Sequence, residues 1–233
     1  MGFLMTSSNA LVSVLLSTYN SEESIGESID SLLSQTYKNL EILISDDGST
    51  DSTKEICKKF QLKDERVLFS SNKKNIGLTK SLNNLAQKAS GSLIARHDAD
   101  DISLPSRIEE QIQFMKTKKL DAVTSRSLVK QNNKKRPGIS FYIPDKLLIN
   151  KKNPFIHGTL IIKKNVFQEI GYYDERFYYA QDYKLFYDLL NKGYKVKTLN
   201  KALYILNTKN NISSENLERQ NYYADCVRFR KTP

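Results

Sequence analysis

The chain has 233 residues, 39% of them hydrophobic and 27% charged, and its 36 basic and 26 acidic residues give a net charge of +10. This length suits one α/β domain, and the composition excludes disordered and fibrous classes. No apolar run approaches the roughly 20 residues of a membrane span, and the first residues lack the pattern of a secretory signal. Cys57 and Cys226 have no metal-ligand spacing. We therefore expect a cytoplasmic protein without a disulfide scaffold.

The positive charge is compatible with nucleic acid, an anionic membrane face or an acidic ligand. The lysines lie in scattered pairs, such as Lys58 with Lys59 and Lys118 with Lys119, as on an ordinary solvated surface. Contact with anionic lipid is the main alternative to that interpretation. A nucleic-acid interface would need concentrated basic residues with stacking aromatics, so we predict no nucleic-acid partner.

Strand-like and helix-like patterns alternate along the first hundred residues. Four strands are predicted, at residues 11–17, 40–45, 66–70 and 93–96. Capping boxes of Asn20 with Glu23 and of Ser52 with Glu55 are predicted to begin the first two helices. Strand, helix, strand at this spacing implies right-handed crossovers and a parallel sheet.

The second half of the chain is less regular. After Pro105 a helix and a short strand at 121–125 are predicted, and the polar stretch 130–138, broken by Pro137, is predicted to be an exposed loop. Further elements follow, predicted as a buried run at 160–162, a helix at 181–191 and a strand at 195–199. The sequence thus divides into an N-terminal tail (1–10), two halves of one domain (11–125 and 126–206) and a C-terminal tail (207–233).

The strongest local signal is Asp98-Ala99-Asp100-Asp101, directly after the fourth strand. In open α/β sheets, ligands bind beyond the carboxyl ends of the strands. Three neighbouring carboxylates repel one another unless a cation or hydrogen-bond donors compensate. Such hard oxygen ligands suit Mg²⁺ or Mn²⁺. An acidic turn or a helix cap is the alternative.

A second acidic segment, Asp46-Asp47-Gly48-Ser49-Thr50-Asp51, follows the second strand. A carboxylate here can accept the imino hydrogen of uracil, a donor that cytosine lacks at the same ring position. Gly48 permits a tight turn. Taken alone, the segment is equally compatible with an ordinary turn and helix cap.

Several segments, in this order, resemble family 2 glycosyltransferases of the GT-A fold over roughly residues 11–206. They are Ser17-Thr18-Tyr19-Asn20, Asp46 to Asp51, Asn75-Ile76-Gly77, Asp98 to Asp101 and Gln181-Asp182-Tyr183. The resemblance implies an α/β fold of the GT-A type, with a Rossmann-like, mostly parallel central sheet flanked by helices. Residues 11–125 would then bind the nucleotide sugar, and residues 126–206 would bind the acceptor.

The resemblance also implies roles for single residues. The nucleotide would be bound by Ser17, Thr18, Tyr19, Asp46, Asp47, Asn75, Gly77 and Asp98. Within this set, Thr18 and Tyr19 would line the base pocket and Asp47 would contact uracil. Asp98 would lie by the ribose, and Asn75 and Gly77 would sit in a loop closing around the nucleotide. Asp100 would hold Mn²⁺ or Mg²⁺ at the diphosphate.

By the same resemblance, Asp182 is the catalytic base that removes the proton from the attacking hydroxyl. Gln181 stands before it where relatives commonly have Glu, and with Asp101 and His157 it is assigned to the region of the acceptor or donor sugar. Many relatives also carry an Arg-x-His near the end of the domain, where this chain reads Leu206-Asn207-Thr208-Lys209. We expect that departure to affect turnover more than nucleotide binding.

The implied reaction is transfer of a sugar, with inversion, from a nucleoside diphosphate donor, expected to be a UDP-sugar. The acceptor would be a hydroxyl of a glycan or lipid-linked glycan in bacterial surface polysaccharide assembly, beside the anionic inner membrane. A nucleotidyltransferase would instead carry a Gly-rich phosphate loop after the first strand, where this chain has Ser17-Thr18-Tyr19-Asn20, and an NAD enzyme would need G-x-G-x-x-G. A non-catalytic nucleotide-sugar-binding protein is the remaining alternative.

Overall fold

A computed structural model describes residues 9–209 and 217–233, which alternate strands and helices around one sheet. The strands are β1 (Val12–Thr18), β2 (Leu40–Asp46), β3 (Val67–Ser71), β4 (Leu93–Arg96), β5 (Ile102–Ser103), β6 (Ala122–Val129), β7 (Lys135–Arg136), β8 (Ile161–Lys163) and β9 (Val196–Leu206). The helices are α1 (Ile25–Leu33), α2 (Thr53–Lys63), α3 (Leu78–Lys88), α4 (Arg107–Lys118), α5 (Asp145–Leu148), α6 (Lys164–Glu169), α7 (Gln181–Asn191) and α8 (Leu217–Arg228). Short 3₁₀ helices lie at Ile139–Tyr142 and His157–Thr159.

The strands follow the order β3-β2-β1-β4-β8-β6-β9-β5, with β7 paired to β6. Strands β3, β2, β1 and β4 are parallel, as are β6 and β9, while β8 runs antiparallel between β4 and β6. Most residue pairs in the sheet belong to the parallel ladders, so the predicted mostly parallel central sheet is confirmed. The carboxyl ends of β1 and β2 meet at one edge because Thr18 pairs with Asp46.

Helices cover both faces of the sheet, which explains why β1 is buried along its whole length. Its residues alternate between two hydrophobic cores. Val14 and Leu16 pack in one core with Ile29 of α1, whereas Leu15 packs in the other with Leu82 of α3. The apolar faces of α1 and α3 therefore bury these cores.

Some local predictions are wrong. Helix α1 begins after Ser24 without a side-chain cap, and Asn20 accepts a hydrogen bond from the Thr50 amide instead (2.9 Å). Ser52 likewise makes no cap bond, because Asp51 accepts from the Thr53 amide (3.0 Å). Neither predicted capping box therefore forms.

The second half also departs from the predicted pattern. The strands expected at 121–125 and 195–199 extend to Val129 and Leu206, since β6 and β9 pair along their length. The expected loop at 130–138 contains β7, which returns onto β6.

Both predicted tails are described only in part. In the N-terminal tail (1–10), only Asn9 and Ala10 are described. In the C-terminal tail, residues 210–216 lie outside the described part, and α8 packs on α7 through the buried Cys226 and Val227. Among the described residues, no helix is long and apolar enough to cross a membrane.

Candidate active site

The loops that follow β1 and β2 meet at the edge of the sheet. Ser17, Thr18, Asp46 and Asp47 are all buried there, while Tyr19 is 47% exposed. The Asp47 amide donates to the Thr18 carbonyl oxygen (2.8 Å), which ties the two loops together. Within the described part of the chain, Thr18 Oγ1 has no hydrogen-bond partner. The exposed Tyr19 ring offers a face on which a planar ligand can stack.

Asp47 braces the loop at 75–77. Its Oδ1 accepts hydrogen bonds from Asn72 Nδ2 (2.8 Å) and the Ile76 amide (2.9 Å), and its Oδ2 accepts from the Gly77 amide (2.8 Å). Asn75 Oδ1 also lies 3.0 Å from that Gly77 amide. Because a carboxylate offers about four lone-pair sites, roughly one site on Oδ2 is left for a ligand. The predicted nucleotide residues Asp47, Asn75 and Gly77 are thus brought together.

The three carboxylates after β4 have different environments. Asp98 forms an ion pair with Arg96 (Nη2 to Oδ1, 2.5 Å). Asp101 is buried, its Oδ1 accepts from the Asn207 amide (2.7 Å), and burial followed by the charges of Asp98 and Asp100 raises its pKa to about 8. The pKa of Asp100 is raised by burial and by Asp98. At neutral pH, Asp98 is therefore neutralised by Arg96 and Asp101 is mostly protonated, which leaves Asp100 without an ion pair of its own among the described residues.

This donor set fits a divalent cation at Asp100. Burial, followed by the charge of Asp98, raises the pKa of Asp100, and a bound cation would favour its charged form. In the described part of the chain, no group of three or more His, Cys, Asp or Glu side chains is arranged to hold an ion. Mg²⁺ in phosphate-binding sites typically needs only one or two carboxylates, with water and phosphate oxygens completing its shell.

Two arginines are buried beneath the acidic loop. Arg96 Nη1 donates to the Leu15 carbonyl oxygen (3.2 Å), and Arg107 Nη1 donates to the carbonyl oxygens of Arg96 (3.3 Å) and Gly158 (3.1 Å). Burial lowers the pKa of Arg107 to about 10, although nearby Tyr204 and the acidic loop oppose the shift. The Arg107 guanidinium therefore remains charged at neutral pH, and the two buried arginines stabilise the carboxylates above them.

Asp182 lies in the first turn of α7, where a carboxylate interacts favourably with the helix dipole. Its Oδ2 accepts a hydrogen bond from Asn153 Nδ2 (2.8 Å), and the side chain is partly exposed. The residue before the helix, Ala180, has a left-handed backbone (φ 53°) that turns the chain into α7. Gln181 is buried beside it, with 8% of its surface exposed.

His157 connects the acidic loop with the start of α7. Its Nε2 lies 2.7 Å from Tyr173 Oη, and the two rings meet edge to face. Burial, followed by the charge of Arg96, lowers the pKa of His157 to about 4, while Asp182 and Asp98 act in the opposite direction. His157 is therefore neutral at physiological pH. Since both carboxylates influence this one ring, Asp98 and Asp182 both lie near His157.

Gly158 lies between the acidic loop and β9. A Cβ at this position would lie 2.6 Å from Asp98 Oδ2 and 2.5 Å from Tyr204 Oη, so only glycine fits. Tyr204 Oη in turn accepts a hydrogen bond from the Asp98 amide (3.1 Å). The predicted site residues Asp98, His157 and Asp182 thus lie near one another, with Asp100 in the same loop as Asp98, whereas Asp101 and Gln181 are buried.

Several contributors were missed by the sequence analysis. Asn207 was noted only as part of the segment without Arg-x-His, yet it closes the acidic loop through Asp101. Arg96 carried a signal, because a charged residue in a buried strand just before an acidic cluster needs a partner. Asn153 and Tyr173 gave no local signal, since their partners are distant in sequence.

Comparison with known proteins identifies the family. The family model described as Glycosyl transferase family 2 matches residues 13–172, which is well over half of the chain. The chain belongs to glycosyltransferase family 2. It is 33% identical over 198 residues to "Putative glycosyltransferase EpsE" of Bacillus subtilis, covering 83% of this chain and 71% of that protein. It is 32% identical over 192 residues to "UDP-Glc:alpha-D-GlcNAc-diphosphoundecaprenol beta-1,3-glucosyltransferase WfaP" of Escherichia coli, covering 82% and 74%.

Solved structures agree on the fold of this glycosyltransferase. S. aureus TarS 1–349 in complex with UDP-GlcNAc superposes with a TM-score of 0.75 at 22% identity, covering 88% of this chain and 61% of that one. The mannosyltransferase PcManGT from Pyrobaculum calidifontis, in complex with GDP-Man and Mn²⁺, gives a TM-score of 0.76 at 20% identity, covering 96% and 66%. The chain therefore spans slightly less than two thirds of either structure. The expected GT-A fold and the expected glycosyltransferase class are confirmed.

Proposed function

We propose that this glycosyltransferase inverts the anomeric centre of a UDP-linked sugar as it transfers that sugar to a hydroxyl of a lipid-linked glycan, in the assembly of a cell-surface polysaccharide. The observation that carries the proposal is that Asp98 of the acidic loop and Asp182 of α7 both lie near His157, whose neighbour Gly158 lies against the Asp98 carboxylate. A base close to an acidic, cation-binding loop is what a single displacement requires. TarS in complex with UDP-GlcNAc and the activity given in the name of WfaP support the donor and acceptor classes.

The nucleotide is assigned to the loops after β1, β2 and β3. Tyr19 offers an exposed ring on which a base can stack, and Thr18 Oγ1 is a buried hydroxyl with no partner in the described chain. Asp47 retains a free lone pair on Oδ2 while it holds the loop at 75–77 in place. A pyrimidine can stack on the Tyr19 ring and donate an N–H to Asp47 Oδ2, which favours uracil.

The reaction is assigned to Asp182. As the acceptor hydroxyl oxygen forms its bond to the anomeric carbon, the bond from that carbon to the diphosphate oxygen breaks, and the hydroxyl proton passes to a carboxylate oxygen of Asp182. Asn153 orients this carboxylate through its bond to Oδ2, which leaves Oδ1 for the acceptor. General base catalysis of this kind contributes typically about 10²- to 10⁴-fold.

Asp100 is assigned to a divalent ion, either Mn²⁺ or Mg²⁺. When bound, such an ion supplies Lewis-acid stabilisation of the charge that grows on the leaving diphosphate. Asp98 is assigned to the ribose, and its ion pair with Arg96 holds the carboxylate in position. The structure of PcManGT with Mn²⁺ supports divalent metal use on this fold.

Donor hydrolysis tests the proposal without knowledge of the acceptor. The protein is incubated with a panel of UDP- and GDP-sugars and Mn²⁺, and release of the nucleotide is measured with and without chelator. We expect slow release from a UDP-sugar that chelator abolishes. Binding of UDP with no release from any donor would instead favour a non-catalytic nucleotide-sugar-binding protein.

The base is tested by Asp182→Asn, once a donor and acceptor pair is known. We expect transfer to fall about 10²- to 10⁴-fold while the UDP affinity stays near that of the wild type, because only the proton acceptor is removed. Asp188→Asn, on the same helix but paired with Lys184, is the matched control and should keep its activity. Near-normal transfer by Asp182→Asn would show that the base lies elsewhere.

We also propose that the enzyme works at the cytoplasmic face of the inner membrane. The net charge of +10 favours an anionic surface. The acceptor named for WfaP is a diphosphoundecaprenol-linked sugar, and an acceptor of that class would be presented by a bilayer.

A further inference from the structure

One short segment exposes large apolar side chains to an unusual degree. Four of these lie within nine residues, with exposed fractions of 87% for Ile139, 73% for Tyr142, 42% for Ile143 and 64% for Leu147. Single exposed apolar residues are normal on a protein surface, but a cluster marks an interaction site. Residues 134–147, which include this cluster, are called the docking segment here.

The docking segment is also strongly basic. Residues 130–152 carry seven lysines and arginines and a single acidic residue, Asp145, which is already paired with Lys197 (3.5 Å). The basic side chains within the segment are exposed, and they are Lys134, Lys135, Arg136 and Lys146. Much of the chain's net charge of +10 is therefore concentrated around the apolar cluster.

The segment is held in place by the body of the protein. Lys135 and Arg136 form β7 and pair with Leu128 and Ser127 of β6. The guanidinium of Arg126 lies 5.1 Å from the centre of the Phe141 ring, beneath the 3₁₀ helix. The exposed side chains are thus presented by an anchored element.

The same segment leads directly to the catalytic base. Leu148 and Ile149 are buried at its end, and Tyr183 Oη donates to the Ile149 carbonyl oxygen (2.6 Å). A few residues later, Asn153 binds Asp182. A surface that seats on the docking segment is therefore brought close to Asp182.

We propose that residues 134–147 dock on a bilayer containing anionic phospholipid, with Ile139, Tyr142 and Leu147 entering the headgroup region and the basic residues contacting lipid phosphates. A bilayer combines an anionic surface with an apolar interior, which matches this pattern of cations around apolar side chains. A second copy of the chain would bring two basic surfaces together, so self-association is disfavoured. This inference rests on the proposed function, because a membrane-linked acceptor is the reason for the enzyme to dock on a bilayer.

The natural lack of tryptophan allows a site-specific test, since one introduced tryptophan is the only indole in the protein. Tyr142→Trp reports on the docking segment, and Leu62→Trp, at an 88% exposed position of α2, is the control. With vesicles of phosphatidylglycerol and phosphatidylcholine, Tyr142→Trp emission should move to shorter wavelength while Leu62→Trp emission stays unchanged. Vesicles of phosphatidylcholine alone should give a much smaller shift.

Vesicle flotation separates the charge from the apolar contribution. Replacing Lys134, Lys135 and Arg136 by Gln should lower partitioning onto anionic vesicles about 100-fold, because each basic residue near an anionic leaflet contributes about 1 kcal/mol. Replacing Lys58, Lys59 and Lys118 by Gln removes the same charge elsewhere on the surface. This variant is the matched control, and its partitioning onto anionic vesicles should change little. Ile139→Ser with Leu147→Ser should also weaken binding, even at low salt.

Three results would overturn the docking proposal: equal emission shifts at positions 142 and 62, equal losses in the two charge variants, or a shift of Tyr142→Trp emission that needs no vesicles and grows with protein concentration. The last would identify a second copy of the chain as the partner. Hydrolysis of the soluble donor should be unchanged in all docking variants. A wild-type protein that binds vesicles but hydrolyses no nucleotide sugar would refute the proposed function and leave the docking surface intact.

Discussion

The Asp47 carboxylate offers the sharpest test of how the nucleotide loop is held. Asp47→Asn keeps the shape of the side chain but replaces one oxygen with an NH₂ group, which then faces the backbone N–H of either Gly77 or Ile76. One charge-assisted hydrogen bond is lost and the others weaken. Because hydrogen bonds to charged groups contribute about 1.5–3 kcal/mol each, we expect the free energy of unfolding to fall by about 3 kcal/mol. For a domain of this size that corresponds to roughly 6–12 °C in Tm.

The assay is urea denaturation followed by circular dichroism, with UDP affinity measured by calorimetry on the same samples. Asp30→Asn is the control, since Asp30 is an exposed carboxylate on α1. We expect stability and UDP affinity to fall together in Asp47→Asn and to stay unchanged in Asp30→Asn. If Asp47→Asn has normal stability but has lost UDP affinity, the bracing role is refuted and Asp47 contacts only the uracil ring.

Two further predictions concern Asp101 of the acidic loop and Gly77 of the loop that Asp47 braces. The folded-state pKa of Asp101, raised to about 8 mainly by burial, lies above its unfolded value, so the folded protein holds a proton that the unfolded chain releases. The free energy of unfolding should therefore decline as pH rises from about 4 to about 8. Asp101→Asn should flatten that decline in urea titrations across this pH range. Parallel pH profiles of the wild type and the variant would contradict the prediction. Gly77→Ala should lower the free energy of unfolding by about 1–3 kcal/mol in the same assay, because φ is 92° and the new Cβ would lie 2.9 Å from the Tyr178 ring. Full recovery of stability on adding Tyr178→Ala would show that the contact with the ring, and not the backbone conformation, causes the loss.

The nucleotide half could be predicted from the sequence because its signals are local. Buried runs such as 11–17 and the helical stripe that begins at Ile25 depend on neighbouring residues only. The loops between them follow from the rule that ligands bind at the carboxyl ends of parallel strands. The positions of Thr18, Asp46 and Asp47 beside one another follow from the same rule and agree with the register of β1 and β2.

The acceptor half could not be predicted in the same way, because its contacts are long range. Strand β6 continues through Arg126 and Ser127, which have no strand-like alternation, because β9 supplies hydrogen bonds from about 75 residues away. The partners of Asp182 and His157 are likewise Asn153 and Tyr173, at separations that no local pattern records.

The loop at 75–77 and the start of α3 contact the segment that precedes α7. Gly77 lies against the Tyr178 ring, and Thr79 Oγ1 donates to the Phe177 carbonyl oxygen (3.2 Å). The chain from Phe177 leads within a few residues to Asp182, through the left-handed turn at Ala180. The donor amide of Gly77 is the one that Asp47 binds. Under the proposed assignment, a shift of this loop on nucleotide binding would displace Tyr178 or carry it along, and the position of Asp182 would then depend on whether the donor site is filled.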